Sequence, residues 1–132
     1  MSQNVQLVQS LYRAFATGDG PAIFAILDPG IIWHEAESFI YDDRNPYIGP
    51  AAVAEGVFAR LATEWNDFTA TPVEFVDGGD TIVVFGRYTG IYKATHHLLN
   101  AQFAHVFRIA NGRVTRFQQY TDTAQAQFVV QK

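Results

Sequence analysis

Hydrophobic positions along this chain change period part-way, from helical spacing in the first half to strand-like runs in the second. Val5, Val8, Leu11, Tyr12 and Phe15 recur at helical intervals, which predicts an amphipathic first helix. Thr17-Gly18-Asp19-Gly20 supplies its turn and C-cap. Pro21 opens a shorter helix through about Leu27, with Ile23, Phe24, Ile26 and Leu27 as its apolar part, and Asp28-Pro29-Gly30 stops it. Ile31 to Glu35 reads as a short strand. Residues 36–48 are a polar, aromatic-bearing loop, long enough to act as a lid or rim. Gly49-Pro50 starts a third helix, with Val53, Val57, Leu61 and Trp65 on one stripe.

From Phe68 onward the pattern is strand. Phe68 to Val76 leads through the turn Asp77-Gly78-Gly79-Asp80 into a long strand, Thr81 to Lys93. A loop at residues 94–98 carries His96-His97. Two β-type runs within Ala101–Asp122 then flank Asn111-Gly112, a strong hairpin signal. The tail from Thr123 adds a helical turn or an edge strand. Helices and strands are segregated, so the class is α+β. A long antiparallel sheet with three helices must curl around them to bury both surfaces, which leaves a cone-shaped hollow between the layers.

Alternation places one titratable group in an otherwise apolar row. Phe103, His105, Phe107 and Ile109 share a face, so His105 is either a core histidine bonded to a neighbour or a polar group aimed into the hollow. Trp33 and Glu35 share one face of the earlier strand, with His34 on the other. A carboxylate beside an indole in an apolar pocket has a raised pKa and can act as general acid or base; the alternative is a solvated strand end, or a pair with Arg44. Asp122 either joins the ligand-binding residues or caps the tail helix. His34 reads as structural or surface. His96 and His97, being adjacent, point to opposite faces, and no HxH or HExxH spacing exists, so no metal site is expected.

Composition narrows the class further. The 132 residues suit one domain, 1–132, and at 48% hydrophobic they can build a core without metal or disulfide staples. Aromatic residues reach 14% while charged ones stay at 17%, a balance suited to an aromatic-lined interior or a surface buried in an oligomer. A homodimer through the outer face of the sheet is expected, because Ala104 and Val106 make that face too apolar for full exposure. The net charge of −4, without a basic stripe, argues against a nucleic-acid partner. With no Cys, thiolate chemistry is excluded. No apolar run approaches the ~20 residues that span a bilayer. The N-terminus lacks the pattern of a signal peptide, so a cytoplasmic location is expected. No phosphate-binding Gly loop, dinucleotide fingerprint or GxSxG context is present, and no cofactor is expected.

The element order, the turn YRAFATGD, the strand IIWHEA after DPG, and the hairpin AHVFRI…NGRVTRFQQYTD together resemble the SnoaL-like branch of the nuclear-transport-factor-2-like superfamily. Ketosteroid isomerases and polyketide cyclases are relatives. The resemblance spans about residues 4 to 126 and implies a cone-shaped α+β barrel, usually dimeric, with a pocket between helices and sheet. It places Glu35 where an isomerase keeps its carboxylate base and His105 near its oxyanion donor. The isomerase's tyrosine donor falls at Leu11, beside Tyr12. An epoxide-hydrolase relative carries a carboxylate where this chain has Gln119, which counts against that chemistry. The resulting site has Glu35 and His105 as catalytic residues, with Tyr12, Trp33, Phe103, Phe107, Gln119 and Asp122 binding the ligand. The expected function is to bind a small apolar, oxygen-bearing molecule. Cofactor-independent isomerase, cyclase or lyase chemistry next to a carbonyl is one reading; a noncatalytic binding protein and a structural dimerisation domain are the alternatives.

Overall fold

The computed structural model describes residues 2–132. Helix α1 spans Gln3–Thr17: the Ser2 hydroxyl caps it by accepting from the Val5 N–H, and Gly18 ends it in the left-handed region at φ 69°. Val5, Val8, Leu11 and Tyr12 form its buried stripe. Asp19 caps α2 (Gly20–Ile26) by accepting from the Ala22 N–H. Strand β1 (Leu27–His34) begins before the expected Ile31, and its register is irregular between Leu27 and Ile32, the stretch that holds Pro29.

The loop after β1 returns through β2 (Tyr47–Ile48) to a helix built in three pieces. These are α3 (Pro50–Val53), a π turn (Ala54–Phe58) and α4 (Ala59–Glu64). Val53, Val57 and Leu61 bury their stripe as the spacing predicts. Trp65 is also buried, but it is extended and opens β3 (Trp65–Gly78), paired with Tyr92. Its indole Nε1–H donates to Tyr41 Oη, 3.0 Å away.

Strands β4 (Thr81–Tyr92), β5 (Leu98–Ala110) and β6 (Arg113–Thr121) follow, and β3 to β6 pair antiparallel in sequence order. The described residues form one six-stranded sheet, ordered β2-β1-β6-β5-β4-β3, which leaves β2 and β3 as edges. Strand β1 joins β6 in parallel, an addition to the antiparallel sheet the pattern predicts. The core lies between the helices and the inner face, where Val8, Ile31, Val53, Val84 and Val114 are fully buried. Bulges at Asn66/Thr69 and Pro72/Glu74 bend β3. Gly86 admits the close approach this bend needs, since a Cβ there would lie 2.3 Å from the Thr71 carbonyl and 2.4 Å from the Phe103 ring.

The tail forms helix α5 (Thr123–Val129), with Asp122 as N-cap accepting from the Gln125 N–H. Among the described residues, no helix is long and apolar enough to cross a membrane.

Candidate active site

The hollow between helices and sheet holds two adjoining cavities. The outer one, about 850 Å³, opens between α1, α2, α4 and the bent half of β3. The inner one, about 60 Å³, has room for a functional group rather than a molecule. Tyr12, Phe15, Phe58 and Phe68 line both, so the two form a funnel with an aromatic waist.

At the narrow end stands Glu35, just past β1. Its carboxyl is buried, and Oε2 accepts from the Trp33 indole Nε1–H at 3.0 Å. That bond is the one side-chain hydrogen bond to the carboxyl among the described residues; it leaves Oε1 free, and Glu35 lines the inner chamber. The Asn45 side chain clasps the Glu35 backbone, accepting its N–H at 2.9 Å and donating to its carbonyl at 2.8 Å. The expected alternative partner, Arg44, makes no contact with the carboxyl. Arg60 supplies the positive charge that acts on it instead. Burial dominates and pushes the Glu35 carboxyl up to about 8, against the weaker opposing pulls of the Trp33 bond and Arg60.

His105 projects from β5 into the same chamber, so Glu35 and His105 lie on the same side of the sheet. Both its ring nitrogens are engaged. Tyr12 Oη lies 2.5 Å from Nδ1 and Tyr88 Oη lies 2.5 Å from Nε2. Gln119 Nε2–H donates to Tyr88 Oη at 2.8 Å, and Gln119 Oε1 accepts from the Ala36 N–H at 3.0 Å. Burial drives the His105 pKa down to about 3. It also raises both tyrosines, with the Glu35 charge adding to the rise at Tyr88.

Of the residues the sequence points to, Tyr12, Trp33, Glu35, His105, Phe107 and Gln119 all line the inner chamber. Two of the expected ligand-binding residues stand outside both cavities. Phe103 lines neither cavity; it stacks on the His105 ring, centroids 4.0 Å apart, and supports it from behind. Asp122 is exposed at the cap of α5 and lines neither cavity, because its side chain is taken by the Gln125 N–H. His34 lines neither cavity, and His97 is tied to the Val129 carbonyl at 3.2 Å.

Sequence reasoning did not single out Tyr88 or Phe117. Tyr88 follows Ile82 and Val84 at alternate inward positions of β4, so the alternation pointed inward, but its role depends on pairing with β5. Phe117 stacks on Trp33 with centroids 3.8 Å apart. A register shift near the start of β6 brings Val114, Phe117 and Gln119 to the inner face, a set that strict alternation cannot produce.

The SnoaL-like domain model matches residues 8–117. Among solved structures, an NTF2-like protein from Burkholderia thailandensis E264 is 32% identical, with 100% of each chain covered and a TM-score of 0.93. An NTF2-like protein of unknown function from Burkholderia pseudomallei K96243 is 28% identical, also with 100% of each chain covered, at a TM-score of 0.90. A protein named as a SnoaL-like polyketide cyclase from Jannaschia sp. CCS1 shares the fold at 19% identity and a TM-score of 0.82, over 97% of this chain and 91% of that one. None of the curated proteins matches the chain.

Proposed function

Since the chain belongs to the SnoaL-like domain family, we propose that it takes an apolar, oxygen-bearing small molecule into the funnel and moves a proton next to a carbonyl. The observation that carries this reading is Glu35: one buried carboxyl at the apex of an aromatic funnel, with a free Oε1 and a pKa raised to about 8. The body of the ligand fits the outer cavity and its carbonyl end the inner chamber. Ionised Glu35 takes a proton from the carbon beside the carbonyl; the C–H pair moves into an enolate, and the same carboxyl returns the proton to an isomeric position. Isomerase, cyclase and lyase reactions that pass through an enolate begin with that step, which Glu35 can carry out without a cofactor.

A base must be ionised, so kcat/KM should rise with pH through about 8. Glu35→Gln keeps the shape and cannot accept the proton. It should abolish solvent-deuterium exchange into carbonyl ligands while leaving their binding largely intact, and mass spectrometry of the recovered ligand reads the outcome. Exchange that survives in Glu35→Gln rules out this role.

One observation favours a second reading, a noncatalytic binding protein. With its pKa near 8, Glu35 is mostly protonated at neutral pH and can donate to a ligand oxygen without turnover. Micromolar binding of carbonyl compounds with no Glu35-dependent exchange or conversion would favour that reading. The volume of the outer cavity, about 850 Å³, weighs against a purely structural domain whose hollow is filled by its own side chains.

A further inference from the structure

The polar network of the inner chamber has a direction. A backbone N–H can only donate, so the group that meets Ala36 N–H must be the oxygen of the Gln119 amide, 3.0 Å away. The amide nitrogen therefore faces Tyr88 and donates to its hydroxyl over 2.8 Å. Tyr88 must still place its own proton. The acceptor in reach is His105 Nε2 at 2.5 Å. His105 is neutral, since burial holds its pKa near 3, and it carries a single ring proton. With Nε2 accepting, that proton sits on Nδ1 and is donated to Tyr12 Oη, 2.5 Å away. His105 Nδ1 is the one hydrogen-bond partner of Tyr12 Oη among the described residues, so the Tyr12 hydroxyl hydrogen is then left for an acceptor in the cavities that this side chain lines.

The reverse direction fails on the same accounting. If Tyr12 donated to Nδ1, Nε2–H would have to donate to Tyr88. Two donors would then converge on the Tyr88 oxygen, from Gln119 and from His105. The Tyr88 proton would be stranded on a side chain only 4% exposed. A buried donor without a partner is costly; the forward direction leaves its one unpartnered hydrogen on Tyr12, which also lines the larger outer cavity, whereas Tyr88 lines the inner chamber alone of the two.

We propose that Gln119, Tyr88 and His105 form a one-way relay that holds His105 as its Nδ1–H tautomer and presents the Tyr12 hydroxyl to the cavity as the hydrogen-bond donor for a ligand oxygen. The ligand half of this rests on the function proposed above; the relay itself does not. His105 thereby becomes a positioning residue, because neither ring nitrogen is left to touch a ligand. The donor expected at His105 moves one step along the chain of bonds, to α1. Each bond in the row polarises the next, so Tyr12 presents a stronger donor than an isolated phenol. A carbonyl or enolate oxygen, which accepts and does not donate, matches it.

Nitrogen-15 NMR reads the tautomer without any ligand. Substituting His34→Gln, His96→Asn and His97→Gln leaves His105 as the one histidine. The expected spectrum has a protonated Nδ1 and a bare, imine-like Nε2, both unchanged across neutral pH. A protonated Nε2, or an averaged pair, overturns the relay. The Tyr12→Phe variant then tests the direction. The Nδ1–H tautomer should persist, because it is set from the Tyr88 side; a switch to Nε2–H would show that Tyr12, accepting from Nδ1–H, had been holding the tautomer, and would overturn the proposal. If the tautomer stands while no carbonyl compound exchanges deuterium, the relay survives and the proton-transfer function does not.

Discussion

At the scale of single residues, the same burial acts in opposite directions on two groups in one chamber. Glu35 rises from its ordinary 4.5 to about 8, and His105 falls from 6.5 to about 3, because desolvation disfavours whichever form is charged. Stability should follow from proton counts. Between pH 6.5 and 8 the folded chain holds the Glu35 proton and the unfolded chain does not, so stability falls as pH rises through that window. Between 4.5 and 6.5 the folded state holds one extra proton on Glu35 and the unfolded state one on His105; the two slopes cancel. Below 4.5 only the histidine difference remains, and stability is lost as pH falls toward about 3. A melting-temperature profile should therefore show a plateau between 4.5 and 6.5 with a decline on either side. Glu35→Gln should remove the alkaline decline and extend the acid one up to 6.5, because nothing then offsets the histidine difference; an alkaline decline that persists in the variant assigns it to another group. Much of this chamber was legible in the sequence. Period-two alternation was enough to aim Trp33 and Glu35 inward together, and Phe107 with His105. It could not show that Tyr88 and Tyr12 close on both sides of the imidazole, because those bonds join residues 17 and 93 positions away.

At the scale of elements, helical spacing predicted the buried stripe Val53, Val57 and Leu61 but not the π turn between α3 and α4. The turn is shaped from outside the helix. Tyr47 on β2 wedges its ring against Gly56, and Arg60 Nε–H donates back to the Gly56 carbonyl. Arg60 also donates to Tyr47 Oη at 2.7 Å and to both oxygens of Asp43, and it lies 4.4 Å above the Tyr41 ring. Loop 36–48 is thus a pinned rim rather than a lid, with Tyr47 Oη donating to the Tyr41 carbonyl. A local pattern cannot reveal this, since the wedge comes from another element. A Cβ on Gly56 would meet Tyr47 Cε2 at 2.2 Å, and Tyr47 is 2% exposed with no room to yield. Gly56→Ala should therefore cost about 1–3 kcal/mol by overpacking. Phe58, which the same turn aims against Trp33 at the waist of the funnel, should shift with it. Thermal unfolding checks the first, and near-ultraviolet circular dichroism the second; an unperturbed variant would mean that Tyr47 repacks freely. The capping role of Asp122 makes a milder case. Asp122→Ala should cost ~1 kcal/mol and Asp122→Asn much less, since Asn caps as well. Neither should alter ligand binding, because Asp122 lines neither cavity. A selective loss of binding in either would return Asp122 to the site.

At the scale of the whole molecule, the outer face of the sheet is the feature a folded monomer leaves unexplained. Register aligns Phe85, Ala104 and Tyr120 in one row across β4, β5 and β6. Val83, Val106 and Gln118 form the next row, and Val76 sits beside Val83 on β3. Phe85 is 44% exposed, Tyr120 56% and Val76 41%, in a chain where only 17% of residues are charged. The row is continuous across three strands, and a contiguous apolar patch of this kind marks an interaction surface. A second copy of the chain is the partner proposed here, because a two-fold pairing buries the same row on both molecules at once and asks for no other complement. Such a pairing leaves the funnel open, since the cavities lie on the opposite face of the sheet. The assembly should therefore be separable from ligand binding. Sedimentation velocity at micromolar concentration should give a dimer. Phe85→Lys places a charge in the row and should shift the distribution toward monomer, while the tautomer of His105 and the deuterium exchange stay as in the parent. A monomeric parent across the micromolar range refutes the assembly. A dimer untouched by Phe85→Lys would place the contact elsewhere, on a surface other than this face.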